Sequence, residues 1–263
     1  MREAQKLLKK HNGNLDSASE EYFGKRQIQD GDHYDRVSAA WDTVAIFLPV
    51  DYKKSKGKVE AYVDRRLDLI SSCCLPSGAD KQDSKPRLLD VGCGDGAIFP
   101  KISNLGLDYH GVDISPEMIR LGRQRFPNAK FQVGSFPPSS DDEVAQDCYD
   151  TLVFNGSLQF FPDTAGILGQ AMACLRQSRG GRIVLSHVEG SKFVQHECRT
   201  NPSVAVRNMP TEAQLREWAA ARWNAKYAVK VRTKEDLLLD QSIDEQDRAN
   251  EDFYLMALDV VPN

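Results

Sequence analysis

Leu88-Leu89-Asp90-Val91-Gly92-Cys93-Gly94-Asp95-Gly96 begins as an apolar strand and ends in alternating glycines, and Ala97-Ile98-Phe99 follows as the expected opening of a helix. The strand carries a carboxylate to its tip. The glycines let backbone approach a ligand without Cβ interference, and a helix start offers unpaired N–H groups. Together they make a cradle for a nucleotide-type cofactor.

Downstream, strands and helices alternate. Strands are predicted at 87–91, 109–113, 130–133, 151–154 and 182–186, with a first helix running to about Asn104. Ser115-Pro116-Glu117 is a strong helix start, a cap followed by proline at the first helical position. Asp163 caps a further helix with Ile167, Leu168, Ala171, Met172 and Leu175 on its apolar face, and Thr211 with Gln214 forms a capping box. Two more strands are expected near 227–231 and 253–261. This order predicts an α/β fold: a Rossmann-like, seven-stranded, mostly parallel sheet with helices on both faces and the last strand antiparallel. Ligands of such sheets sit at the carboxyl ends of the strands, where the strand order reverses beside strand one.

The glycine spacing narrows the ligand. A nicotinamide-binding turn has G-x-G-x-x-G, whereas Gly92, Gly94 and Gly96 are two apart and Asp95 occupies the turn. A carboxylate aimed at a pyrophosphate would be repelled, but beside a sulfonium and an amino group it is tolerated. Asp113, at the tip of strand two, can accept hydrogen bonds from both hydroxyls of a ribose. The pattern favours S-adenosylmethionine over a dinucleotide.

Upstream, residues 1–33 form a charged arm with two short helical pieces, 4–11 and 15–23. Residues 34–85 form an N-terminal helical lid and a linker. Val59, Tyr62, Val63, Leu67, Ile70 and Cys74 give the lid one apolar face. A polar break covers 53–58, the linker covers 77–86, and the main domain runs over 86–263. The net charge of -4 argues against a surface built to neutralise phosphates, so no nucleic acid partner is expected. The six cysteines show no CxxC spacing, which suggests neither a metal site nor a disulfide framework and favours a reducing, cytoplasmic compartment. No apolar run approaches the roughly 18 residues of a membrane span.

Leu88 to Gly96 and the following Gly111-Val112-Asp113-Ile114-Ser115-Pro116-Glu117-Met118 resemble the first two motifs of the class I S-adenosylmethionine-dependent methyltransferases, in their small-molecule branch. The resemblance covers about residues 86–190. It implies that Asp90, Gly92, Cys93, Gly94, Gly96 and Asp113 hold the cofactor, that Ile114 and Met118 cover the adenine, and that Gly134, Ser135 and Phe136 meet its exocyclic edge. The family commonly has an acid where Ser135 stands, so a hydroxyl or backbone contact must substitute. Asn155 and Gly156 would lie near the methionine moiety and the acceptor, with Phe160 and Phe161 read as core. The Tyr34-Asp35 and Trp41-Asp42 pairs resemble the N-terminal segment that folds over the cofactor in ubiquinone- and menaquinone-type methyltransferases. Tyr34 would there gain from cation–π attraction to the sulfonium, and Trp41 reads more as an anchor of the lid. Residues 4–18 resemble the last two helices of a ubiquitin-associated module, which implies a protein partner; the other reading is a solvated helical arm.

Methyl transfer from a sulfonium needs positioning first and a general base only for a protonated nucleophile. His187, oriented by Glu189, is the candidate base, against the alternative of a strand-end histidine that shapes its loop. His196 is expected on a mobile connection, and residues 192–223 as an irregular acceptor wall. No Asn-Pro-Pro-Tyr-like segment follows strand four and no cysteine follows a proline, which leaves a small or medium-sized organic acceptor. Two further readings stay open: a cofactor-binding protein that recruits a partner through its arm with little catalysis, and a nicotinamide oxidoreductase.

Overall fold

The computed structural model describes residues 32–48, 61–75, 85–137, 148–176, 178, 180–240 and 253–263, together with Lys10. Helices α1 (His33–Phe47) and α2 (Ala61–Ser72) come first. β1 (Arg87–Val91), α3 (Phe99–Asn104), β2 (Asp108–Asp113), α4 (Pro116–Arg125) and β3 (Lys130–Val133) follow. After β4 (Thr151–Asn155) come a 3-10 turn (Leu158–Phe160), α5 (Thr164–Cys174), β5 (Gly181–His187) and α6 (Gly190–Thr200). α7 (Glu212–Trp218) runs into a π-helical turn (Ala219–Trp223), ahead of β6 (Tyr227–Arg232), α8 (Lys234–Asp240) and β7 (Tyr254–Pro262).

The strands form one seven-stranded sheet in the order β3-β2-β1-β4-β5-β7-β6. β7 runs antiparallel to both β5 and β6, and every other pairing is parallel. This is the expected Rossmann-like architecture with its antiparallel last strand. β1 pairs with β2 on one side and β4 on the other, so a crevice opens at their carboxyl ends.

Successive strand residues point to opposite faces, and each face meets its own apolar layer. Leu88, Val153 and Val184 pack with Ile70 of α2, Ile102 of α3 and Leu237 of α8. Leu89, Leu152 and Ile183 pack with Leu168 and Met172 of α5 and Leu215 of α7. Both faces are therefore dry, which is why the parallel strands read as nearly continuous apolar runs.

The capping signals act as expected. Met118 N–H donates to Ser115 Oγ at 3.1 Å, Gly166 N–H to Asp163, and Thr211 and Gln214 close a reciprocal capping box. Three expectations are corrected. Ala97 and Ile98 form a turn, and α3 begins only at Phe99, because Gly96 at φ 79° takes the chain off the helical path. The first part of the stretch expected to be irregular, 192–223, lies in helix α6, and His196 is exposed on it. α8 was not anticipated, although Thr233 and Asp236 cap it reciprocally. The arm pieces 4–11 and 15–23, the polar break 53–58 and most of the linker 77–86 lie outside the described residues.

Candidate functional site

The glycine turn needs glycine for steric reasons. A Cβ on Gly92, at φ 69°, would come within 2.4 Å of Ser157 Cβ, and one on Gly96 within 2.6 Å of the Phe131 ring. Gly92 N–H and Cys93 N–H both donate to Val112 O, which ties the turn to the end of β2. Above this turn lies a cavity. Its floor is Asp90, Gly92, Cys93 and Gly94 from β1 and the turn. One wall is Asp113 and Ile114 after β2 with Gly134, Ser135 and Phe136 after β3, and the opposite wall is Asn155, Gly156 and Ser157 after β4. Tyr34, Val37 and Trp41, spaced along one face of α1, line it from the lid side.

The two acids differ in how they are satisfied. Asp90 is 2% exposed; its Oδ2 accepts from Tyr109 Oη at 2.8 Å, and its Oδ1 has no partner. Burial pushes its carboxyl up to about 7, with the Tyr109 hydroxyl opposing and Asp113 adding to the rise. Asp113 accepts from Gly94 N–H at Oδ2 and from Ser115 N–H at Oδ1, each at 2.8 Å. Burial raises its carboxyl and those two amides oppose the rise. Each carboxylate oxygen carries two lone pairs, so Asp113 keeps capacity for two further donors.

α1 is fastened over the crevice by polar contacts. His33 Nε2–H donates to Phe160 O at 2.7 Å, and Ser38 Oγ donates to Ile114 O at 3.1 Å. Asp42 Oδ1 accepts from Ser115 Oγ at 2.6 Å and from Glu117 N–H at 3.1 Å, so a residue of α1 caps α4 from outside. Trp41 meets Phe160 edge-on at 5.6 Å, and Val204 and Ala205 pack beneath Val37. Behind them, Val206 and Arg207 N–H both donate to Gln159 O, latching the segment after α6 onto the β4 loop.

Every expected cofactor residue lines this cavity except Gly96 and Met118. Gly96 packs on Phe131 behind the turn, and Met118 is buried in the first turn of α4. Asp95 is also turned away, in an ion pair with the buried Arg125 guanidinium. Its carboxylate serves the fold, and the electrostatic argument for its presence in the turn does not apply. Phe160, Phe161 and Trp41, read as packing, do both jobs: Phe161 joins the main core and Phe160 the lid cluster, and all three line the cavity. Tyr109, whose hydroxyl positions Asp90, had no sequence signal. Val37 did, through its spacing from Tyr34 and Trp41.

His187 and Glu189 stand at the end of β5. Glu189 does not orient the imidazole with its carboxylate, which accepts from Tyr62 Oη at 2.9 Å; its backbone N–H reaches His187 Nδ1 at 3.2 Å instead. Burial lowers the His187 pKa to about 4. Among the described residues, no three His, Cys, Asp or Glu side chains gather as a metal site, and no helix is long and apolar enough to cross a membrane.

A doubly wound sheet with a glycine-rich turn and two acids facing one crevice defines a protein that binds a nucleotide-type ligand. The chain belongs to the methyltransferase-domain family, whose model matches residues 82–243. It is similar to the ubiquinone biosynthesis O-methyltransferase of Xanthomonas axonopodis pv. citri (strain 306), 28% identical over 123 residues, 46% of this chain and 48% of that protein. The protein of the same name from Xylella fastidiosa (strain 9a5c) is 30% identical over 125 residues, 47% of each. The chain spans about half the length of the curated relatives it matches. Among solved structures, geranyl diphosphate C-methyltransferase from Streptomyces coelicolor A3(2), in complex with Mg2+, geranyl diphosphate and S-adenosyl-L-homocysteine, superposes with a TM-score of 0.57 at 12% identity over 89% of this chain and 99% of that one. The plantazolicin methyltransferase BpumL in complex with SAH gives 0.55 at 16% identity over 88% and 97%. At these identities the likeness is one of fold.

Proposed function

We propose that the protein is an S-adenosylmethionine-dependent methyltransferase acting on a small or medium-sized organic acceptor, with residues 86–263 as the catalytic domain, 34–85 as its lid and linker, and 1–33 as an arm. The observation that carries this reading is Asp90 Oδ1, a buried carboxylate oxygen without a partner on the floor of the cavity. Buried polar atoms are normally satisfied, and an orphan in a cavity marks a missing donor. An α-ammonium supplies that donor, and the spare lone pairs of Asp113 suit the two hydroxyls of a ribose. Tyr34 and Trp41 present rings of the kind that attract a sulfonium.

When bound, S-adenosylmethionine supplies an electrophilic methyl group. The residues of this chain bind and orient: Asp90 and Asp113 anchor the two polar ends, the glycine turn allows close backbone approach, and α1 excludes water. Holding two reactants at near-attack distance contributes on the order of 7–11 kcal/mol. The name of the matched relatives supports oxygen as the methylated atom. Calorimetry with S-adenosylhomocysteine and with NAD tests the reading; tight NAD binding without S-adenosylhomocysteine binding refutes it and favours an oxidoreductase. Recruitment of a protein partner by residues 1–33 rests on their likeness to a ubiquitin-associated module. Deleting them should abolish capture of that partner and leave turnover unchanged.

A further inference from the structure

We infer that His187 meets the acceptor as a neutral hydrogen-bond donor through Nε2 and that the group it recognises is an oxygen nucleophile already ionised on arrival. This rests on the methyltransferase reading above. The first ground is the tautomer. Glu189 N–H lies 3.2 Å from His187 Nδ1, and a backbone amide can only donate, so Nδ1 carries the lone pair and the ring proton sits on Nε2. Among the described residues, none accepts from Nε2.

The second ground is position. A Cβ built on Gly156 would lie 3.8 Å from His187 Cδ2 and 3.9 Å from Nε2, so the donor edge of the ring borders the glycine that lines the cavity. The Phe193 ring packs over the imidazole at 5.5 Å and 31°, holding its plane. The third ground is charge. From α2, Tyr62 takes the Glu189 carboxylate and Arg66 donates to Val188 O at 2.6 Å. From β7, Tyr254 lies opposite His187 in register and donates its hydroxyl to Pro210 O. Lys192 on α6 is exposed. No carboxylate among these contacts the ring, so nothing compensates an imidazolium there, and burial holds its pKa down to about 4.

A ring in this state cannot keep a proton taken from a substrate at neutral pH. It can align an oxyanion. Transfer then needs no base: the acceptor oxygen's lone pair forms the new C–O bond while the S–CH3 bond breaks and its electron pair returns to sulfur. A neutral alcohol would bring a proton that the His187 ring, already protonated at Nε2, cannot remove, so a carboxylate or an acidic phenol is the acceptor class.

The test uses the full chain labelled with 15N-histidine, loaded with S-adenosylhomocysteine and followed by long-range 1H–15N correlation, with H187Q to assign the signal. The Nε2–H pattern should persist from pH 8 down to about 5.5. An Nδ1–H pattern, or a midpoint between about 6 and 7, overturns the donor assignment. 4-Nitrophenolate and benzyl alcohol then serve as probes. The phenolate should shift the Nε2 signal and bind about tenfold more weakly to H187A than to H187Q, which keeps a donor. An equal response to both probes, or none to the phenolate, overturns the acceptor class. The tautomer pattern is read without turnover, so its failure is distinct from failure to bind S-adenosylhomocysteine.

Discussion

Asp90 carries the most consequential single atom in the site. Its carboxyl stands at about 7 in the folded protein, above the ordinary value of 3.8, because burial disfavours the charge. The folded state therefore holds a proton that the unfolded state releases. The associated stability is fully present below about pH 4 and is lost as pH rises through 7, a swing on the order of 4 kcal/mol. Urea denaturation of the ligand-free protein should show that decline between about pH 6 and 7.5, and Asp90→Asn should remove it. The same substitution should weaken S-adenosylhomocysteine binding by about 10- to 100-fold. Tyr109 would keep the amide oxygen, turning the NH2 toward the ligand's ammonium where a charge-assisted acceptor worth about 1.5–3 kcal/mol had been. Unchanged affinity in calorimetry would place the ammonium elsewhere. His187 acts with the opposite sign: its folded pKa of about 4 lies below the ordinary value of 6.5, so its contribution is present above 6.5 and lost as pH falls through 4. Below about pH 6 the two groups pull in opposite directions, and His187→Gln should isolate the Asp90 slope.

α1 supplies one wall of the crevice. Tyr34, Val37 and Trp41 face the cavity, while Ser38 and Asp42 bond the turn before α4. Asp42→Ala removes an acceptor from both Ser115 Oγ and Glu117 N–H, yet Ser115 still caps Met118. The expected loss is about 1 kcal/mol of stability, the size of a cap interaction. A larger effect should appear in binding, because α1 then closes less often. S-adenosylhomocysteine should dissociate about five- to tenfold faster in stopped-flow measurements, and an unchanged rate would make α1 a scaffold only. Much of this site was legible in the sequence, since glycine turns, strand-tip acids and caps are local signals with fixed spacing. α6 was not, because it lacks a start signal: Glu189 stands at its N-cap without a side-chain cap bond and Gly190 opens it, although Val194 and Cys198, four residues apart, pack toward the core. α8 is too short for a period to declare itself. Asp95 misled for a related reason, since its partner Arg125 lies thirty positions away and only the folded chain brings the two together.

α2 and the sheet are joined at both ends of the helix, and under the proposed function this links stability to the side where the acceptor would bind. Near the start of β5, Arg182, 2% exposed, donates from Nε and Nη2 to Asp259 of β7 at 2.6 and 3.1 Å. Its Nη1 reaches Cys73 O and Leu75 O, just past the end of α2. At the other end of both elements, Tyr62 holds Glu189 and Arg66 holds Val188 O. A helix rises about 1.5 Å per residue and a strand about 3.3 Å, so the eleven residues from Tyr62 to Cys73 and the five from Arg182 to His187 both span about 17 Å, and α2 can brace the whole of β5. Arg182→Met takes a donor from the Cys73 and Leu75 carbonyls and leaves Asp259, among the described residues, with Arg232 at 3.3 Å. Breaking a buried pair in this way costs about 3–5 kcal/mol. In a chain of this size that corresponds to a melting temperature lower by roughly 6–20 °C. Adding Asp259→Leu should recover part of the loss, because the carboxylate left with the longer Arg232 contact is gone and Arg232 keeps Asp240, while the two carbonyls still lack their donor. The discriminating measurement is amide exchange at residues 187–190. If α2 is a brace, Arg182→Met should speed exchange there, about 17 Å from the substitution. If protection falls only around Cys73 and Asp259, the latch is local and the acceptor side is held by the β5–β7 pairing alone.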